Sequence, residues 1–189
     1  MKVYYLLIVS LFSTLVLAQE KSEIERPVKK QEVPSPAIEW MKDAFEGRKK
    51  IKWHYEETSD KKSYEAKLKW EEKQYSVEFD TLGNIEDIEI VEKWEALSPE
   101  LTEQLEKYFE TSYKRYKIRK IQKQLSGHSD DLEDYLDENE MEGITIQYEI
   151  EFYGNDDNEK TLWEGLFDEK GKLLEKRKIT LNPADNLSY

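Results

Sequence analysis

Ser35-Pro36-Ala37-Ile38 opens a helical pattern that leads into alternating strands and then into the turn Phe79-Asp80-Thr81-Leu82-Gly83. The same order is written again: Ser98-Pro99-Glu100-Leu101, further strands, and then Phe167-Asp168-Glu169-Lys170-Gly171. A supersecondary unit repeated within one chain sets the fold class before any residue chemistry is considered. The class read from it is α+β. Two tandem units are expected, each a helix with a four-stranded antiparallel sheet, and the helices pack on one sheet face.

The periodicity fills in each unit. In the first, Ser35 serves as N-cap with Pro36 at the first helical position, and Ile38, Met41, Ala44 and Phe45 share one stripe before Gly47. Trp53 and Tyr55, then Tyr64, Ala66, Leu68 and Trp70, then Tyr75, Val77 and Phe79 alternate with polar residues, as half-buried strands do. Ile85, Ile88 and Ile90 make a fourth strand whose phase slips, predicting a bulge near Glu86-Asp87. In the second unit Ser98 caps a helix bearing Leu101, Leu105, Tyr108 and Phe109. A similar slip predicts a bulge near Arg119-Lys120, and Ile144 to Phe152 alternates cleanly. Residues 35–97 form the first unit and 98–183 the second, with an acidic insertion at 126–143. Its short helix, capped by Ser129, is expected at the periphery, and 184–189 is a tail.

Two segments precede the units. Residues 1–18 carry Lys2, then an apolar run to Val16-Leu17-Ala18, which reads as a signal peptide cleaved before Gln19, too short for a spanning helix. Residues 19–34 are charged, lack aromatics and contain Pro27 and Pro34, the composition of a disordered linker. The expected location is therefore periplasmic or secreted, with no membrane anchor after cleavage. The chain has no cysteine, so disulfides and thiolate chemistry are excluded, and core burial by 5 Trp, 12 Tyr and 6 Phe must hold the fold.

The net charge of −13 has an address. Between Gln124 and Glu159 there is no Lys or Arg and there are 13 Asp or Glu, while Lys114 to Lys123 is a basic stretch. Nucleic acid is not an expected partner of so acidic a chain, because binding it requires a basic surface.

The Ser-Pro helix starts, the strands Tyr64-Glu65-Ala66-Lys67-Leu68 and Tyr148-Glu149-Ile150-Glu151, the two Phe-Asp-x-x-Gly turns and the basic strand Lys117-Ile118-Arg119-Lys120-Ile121 together define a pattern. In these features the chain resembles the PepSY-like family related to the beta-lactamase inhibitor proteins, over Pro34 to Thr180. The resemblance implies an exported, non-enzymatic binding module with helices against an antiparallel sheet, inhibiting or restraining another exported protein. The acidic insertion departs from the family's compact hairpin.

The residues offer little catalytic chemistry. His54 and His128 are the only histidines and neither has a second His at metal-ligand spacing, and no Gly-x-Ser-x-Gly is present. With 42 acidic residues, carboxylate pairs arise by coincidence. The reading assigns no catalytic, cofactor or metal residues. The acidic run Asp130 to Glu142 gives an alternative function, a cation-responsive envelope protein with weak calcium binding, although the run lacks the Asp-x-Asp-x-Asp-Gly ligand pattern. The partner, an unknown exported protein, is assigned to the negative rim formed by Asp130, Asp131, Glu133 and Asp134. The polar sheet face, with His54, Glu65, Lys67, Glu78, Glu149 and Glu151, reads as solvent-facing cross-strand charge pairing. It lacks the aromatic anchors of an inhibitor interface.

Overall fold

Alternation becomes strand wherever Trp, Tyr, Ile and Val can turn to one side and charge to the other. In the computed structural model these strands all join one sheet. The structure describes residues 20–180 apart from 22–23, 48–49, 59–60 and 157–158; the expected signal peptide and tail lie outside the described residues. In chain order the elements are β1 (Glu20–Lys21), β2 (Ile24–Val28), α1 (Ser35–Ala44), β3 (Lys52–Glu57), β4 (Lys62–Trp70), β5 (Lys73–Asp80) and β6 (Ile85–Val91). There follow α2 (Pro99–Ser112), β7 (Arg115–Ser126), α3 (Ser129–Glu138), β8 (Thr145–Asp156), β9 (Glu159–Asp168) and β10 (Leu173–Ile179).

The spatial order is β1-β10-β9-β8-β7-β6-β5-β4-β3-β2, antiparallel except for the two-residue parallel pair β1 with β10. This corrects the expectation of two tandem helix-plus-four-strand units. β6 pairs with β7 through Ile88↔Leu125, Glu89↔Gln124, Ile90↔Lys123 and Val91↔Gln122, so the sheet runs unbroken through the middle of the chain. The reason is edge chemistry. An apolar strand such as β6, with Ile88 and Ile90 buried, would leave a sticky row of unpaired amides and carbonyls, and pairing with β7 removes it.

The expectation of a disordered linker over 19–34 is also corrected for its described residues, which are not without structure. β2 pairs with β3 from Ile24↔Glu57 to Val28↔Trp53, and Val33 is buried in the core. Pro27 is compatible with this because β2 is an edge strand, where a missing ladder donor is tolerated. Only three peptide bonds separate Lys21 on β1 from Ile24 on β2, so their Cα atoms lie within roughly 11 Å. Since β1 and β2 sit at opposite ends of the strand order, the sheet must curl until its two edges nearly meet.

All three helices cover the outside of this curl. Trp40, Met41 and Phe45 of the α1 region pack with Trp53, Val77, Phe79 and Ile88, while Leu101, Leu105 and Phe109 of α2 pack with Ile121, Ile150, Phe152 and Phe167. Ring pairs such as Trp40–Phe79 (centroids 5.8 Å) and Phe109–Phe152 (4.8 Å) meet edge to face, the arrangement their quadrupoles favour. α3 is a further correction. It is not a peripheral insert, because Leu132 is fully buried in the α1 core and Tyr135 and Leu136 pack against it. Two cap assignments shift by a residue as well. α1 is preceded by Pro34 and α3 by His128 in the cap position, neither with a side-chain cap bond, whereas Ser98 Oγ accepts from Leu101 N at 3.2 Å.

The repeated turns dock on the helices. Asp80 Oδ1 accepts from the amides of Leu82 (2.8 Å) and Asn84 (2.9 Å), and Asp168 Oδ1 accepts from those of Lys170 and Lys172 (both 2.9 Å). Gly83 (φ +89°) lies against the start of α1 and Gly171 (φ +79°) against α2. Both bulges occur where the phase slipped: register shifts between Glu78 and Phe79 opposite Glu86, and between Ile118 and Lys120 at Arg119.

Candidate functional site

The bulge at Glu86 decides what the inner face of the curl carries. With one extra residue in β6, Glu78 stands directly opposite Asp87, and Glu89, two residues on, shares Asp87's face. The β6–β7 seam then places Gln124 beside Glu89, and β8 continues the row with Gln147, Glu149 and Glu151. Nine strands, from Glu25 on β2 to Arg177 on β10, line one trough of about 360 Å³. A flat sheet of that many strands would spread those residues over roughly 38 Å, so the shared trough is a product of curvature. It buries polar residues that a flat face would expose: Glu65 is 5 %, Glu89 7 % and Glu164 4 % accessible.

Charge inside the trough is paired at both flanks. On the β2–β4 side, Lys67 Nζ lies 2.7 Å from Glu65 Oε2 and 3.0 Å from Glu25 Oε1, and His54 Nε2 lies 3.4 Å from the same Glu25 oxygen. Burial works against ionisation of Glu65, but a hydrogen bond with Glu56 and the Lys67 ammonium hold its carboxyl below the ordinary range. Lys61 Nζ sits 2.8 Å from Glu78 Oε2 and 2.9 Å from Glu86 Oε2. Although burial disfavours the ammonium, these carboxylates hold Lys61 above the usual lysine range. On the opposite flank Arg177 donates through Nη2 (2.6 Å) and Nε (3.0 Å) to Glu164 Oε1, and Arg119 Nη1 lies 3.4 Å from Glu151.

The centre is different. Asp87 and Glu89 are met chiefly by amides: Gln122 Nε2 donates to Glu89 Oε2, and Gln124 Nε2 donates to Asp87 Oδ2 at 3.3 Å. Burial, then the Glu78 carboxylate, pushes the Asp87 carboxyl well above the carboxylate range; Lys61 opposes this, and Glu149 and Glu86 add to it. Burial, then Glu149, Asp87 and Glu78, does the same to Glu89 against a smaller opposing effect of Lys120. The trough can therefore hold protons, or accept positive charge, at its middle.

The residues singled out in the sequence lie elsewhere. Asp130, Asp131, Glu133 and Asp134 are on α3, on the helical side of the sheet. Asp130, Glu133 and Asp134 fall on neighbouring positions of the helix, and Glu133 lines a groove with Glu39 and Asp43 of α1. Burial, then Asp130 and Asp43, raises the Glu133 carboxyl. Asp131 turns towards Gly143, where a methyl group would come within 2.1 Å of its Oδ2. His128 stands exposed ahead of α3, while His54 reaches Glu25 of β2 and lines a separate groove beside α1. The sequence reading reached Glu65, Lys67, Glu78, Glu149 and Glu151 as a polar face but took that face as open to solvent. It missed Asp87, Glu89, Gln122, Gln124, Glu164 and Arg177. The phase slip at Glu86 was the available signal for the first two.

No family model matches the sequence, and neither does the sequence of any curated protein. The fold is shared with solved structures. A DUF2874 family protein from Bacteroides ovatus superposes with a TM-score of 0.54 at 14 % identity, covering 82 % of this chain and 98 % of that one. A putative periplasmic protein from Bacteroides eggerthii gives 0.53 at 11 % identity (77 % and 88 %), and a BLIP-like protein from Bacteroides fragilis gives 0.50 at 16 % (79 % and 89 %). The chain thus has a BLIP-like fold. Among the described residues no helix is long and apolar enough to cross a membrane.

Proposed function

We propose that the chain is an exported, non-catalytic binding protein whose trough takes basic side chains of a partner protein. The observation that carries this reading is the charge imbalance of the lining. Nine carboxyl side chains face four cations there, and the surplus is concentrated at Asp87 and Glu89. A basic partner would gain charge-assisted hydrogen bonds in a partly desolvated site, where they are stronger than on an open surface. The PepSY-like part of the resemblance, and a restraining or inhibitory role, belong to the same proposal and rest on the sequence motifs. Export rests on the pattern of residues 1–18 together with the putative periplasmic description of one similar protein.

The test is affinity capture from exported proteins of the source cell with three baits. These are the wild-type chain, Glu149→Gln/Glu151→Gln in the trough, and Asp130→Asn/Asp131→Asn/Glu133→Gln/Asp134→Asn on α3. A partner whose affinity falls at least tenfold with the trough pair and stays within about twofold with the α3 set supports the reading. The reverse pattern would move the partner to α3.

A further inference from the structure

We propose that Glu78, Asp87 and Glu89 form a binding site for one divalent cation of the hard, oxygen-preferring class, with calcium the best fit. This goes beyond the partner reading and does not depend on it. Each of the three residues presents a carboxylate oxygen, and these oxygens all lie within 4.8 Å of one another. Calcium–oxygen distances of 2.3–2.6 Å put two ligands of one ion at most about 5 Å apart, so a single ion can touch all three. The set contains no sulfur or imidazole, which disfavours zinc and copper and suits calcium, magnesium or manganese.

A second observation separates this cluster from an ordinary acidic patch. Asp87 is 9 % accessible, and among the described residues its Oδ1 is buried without a hydrogen-bond donor, while its other oxygen has the long bond from Gln124. A buried oxygen left without a partner is costly, and a cation among the three carboxylates would satisfy it. The local cations do not. Lys61 Nζ is held by Glu78 and Glu86, and the effect of Lys120 on Glu89 is smaller than those of the surrounding carboxylates.

The neighbouring cluster on the same sheet supplies the contrast. Glu25, His54 and Glu65 also converge within 4.8 Å, but Lys67 Nζ already stands among them, at 3.0 Å from Glu25 and 2.7 Å from Glu65. That cluster contains its own cation. Among the described residues the Glu78–Asp87–Glu89 cluster is ion-paired through Glu78 alone, to Lys61, so it is the one with capacity left for an ion. Three carboxylates with solvent completing the shell match the weak end of calcium sites, with a Kd on the order of 10⁻⁴–10⁻³ M.

The test uses the full mature chain, stripped with EDTA and titrated with calcium chloride by calorimetry. In parallel, manganese(II) is added to the isotopically labelled protein and the broadening of backbone amide signals is recorded. The expected result is one calcium per chain. Affinity should fall at least tenfold in Asp87→Asn/Glu89→Gln and stay within about twofold in the four-residue α3 variant. Manganese broadening should centre on residues 78, 87 and 89. The manganese arm needs no variant, so a misfolded mutant cannot leave the question open. No heat at 10 mM calcium, or broadening centred on residues 130–138, would overturn the proposal. Failure of partner capture would leave this result untouched.

Discussion

Single residues carry two separable loads here, one in the turns and one in the trough. Gly83 has φ +89°, and a Cβ there would meet the Ala37 nitrogen and Pro34 Cβ at 2.9 Å. Gly83→Ala should therefore cost about 1–3 kcal/mol in denaturant melts, from left-handed backbone strain plus a clash with the start of α1. A neutral substitution would show that the turn does not dock there. Asp87 and Glu89 make a prediction of opposite chemistry. Their folded carboxyls titrate above the ordinary 3.8 and 4.5, so the folded state holds protons that the unfolded state releases. That contribution is fully present below the unfolded values and is lost as pH rises through the folded ones. The groups facing them are Glu78, Glu86 and Glu149 against Lys61 and Lys120. In calcium-free buffer, wild-type stability measured against Asp87→Asn/Glu89→Gln should fall as pH rises from about 4.5 towards neutrality. A difference independent of pH over that range would contradict the assignment.

At the scale of elements, legibility followed apolar pattern and failed where pattern was thin. β8 was plain because Ile144 to Phe152 alternates without a break, and the bulges at Glu86 and Arg119 showed as phase slips. β2 was lost because Pro27 and a run of charges mask it, and an edge strand needs only one good neighbour. α3 was misjudged for the same reason. Its acids dominate the composition, yet a single position, Leu132, decides whether it belongs to the core. Leu132→Ala should cost about 2–5 kcal/mol in thermal or urea unfolding, the usual range for a fully buried leucine. A loss below about 0.5 kcal/mol would return α3 to the periphery. The acidic residues around it remain candidates for long-range steering, because Asp130 and Asp134 are exposed on the outer surface.

For the whole molecule, the decisive fact was one that sequence cannot state: which edge meets which. The repeat describes two helix-and-strand series but is silent on the β6–β7 pairing. Without that pairing Asp87 and Glu89 would not face Gln122, Gln124 and Glu149. Curvature was equally hidden, since it follows from β1 and β2 holding opposite edges of one sheet. The trough, its buried charge and the proposed cation site all depend on this continuity. Native-state hydrogen exchange of the amides of β6 and β7, recorded residue by residue, tests it most directly. One continuous sheet predicts that seam amides such as Ile90 and Leu125 are protected to the same free energy as those of β4–β5 and β8–β9, opening only with the whole molecule. Seam amides that exchange several kcal/mol more easily than both flanks, with the two halves unfolding separately, would contradict it.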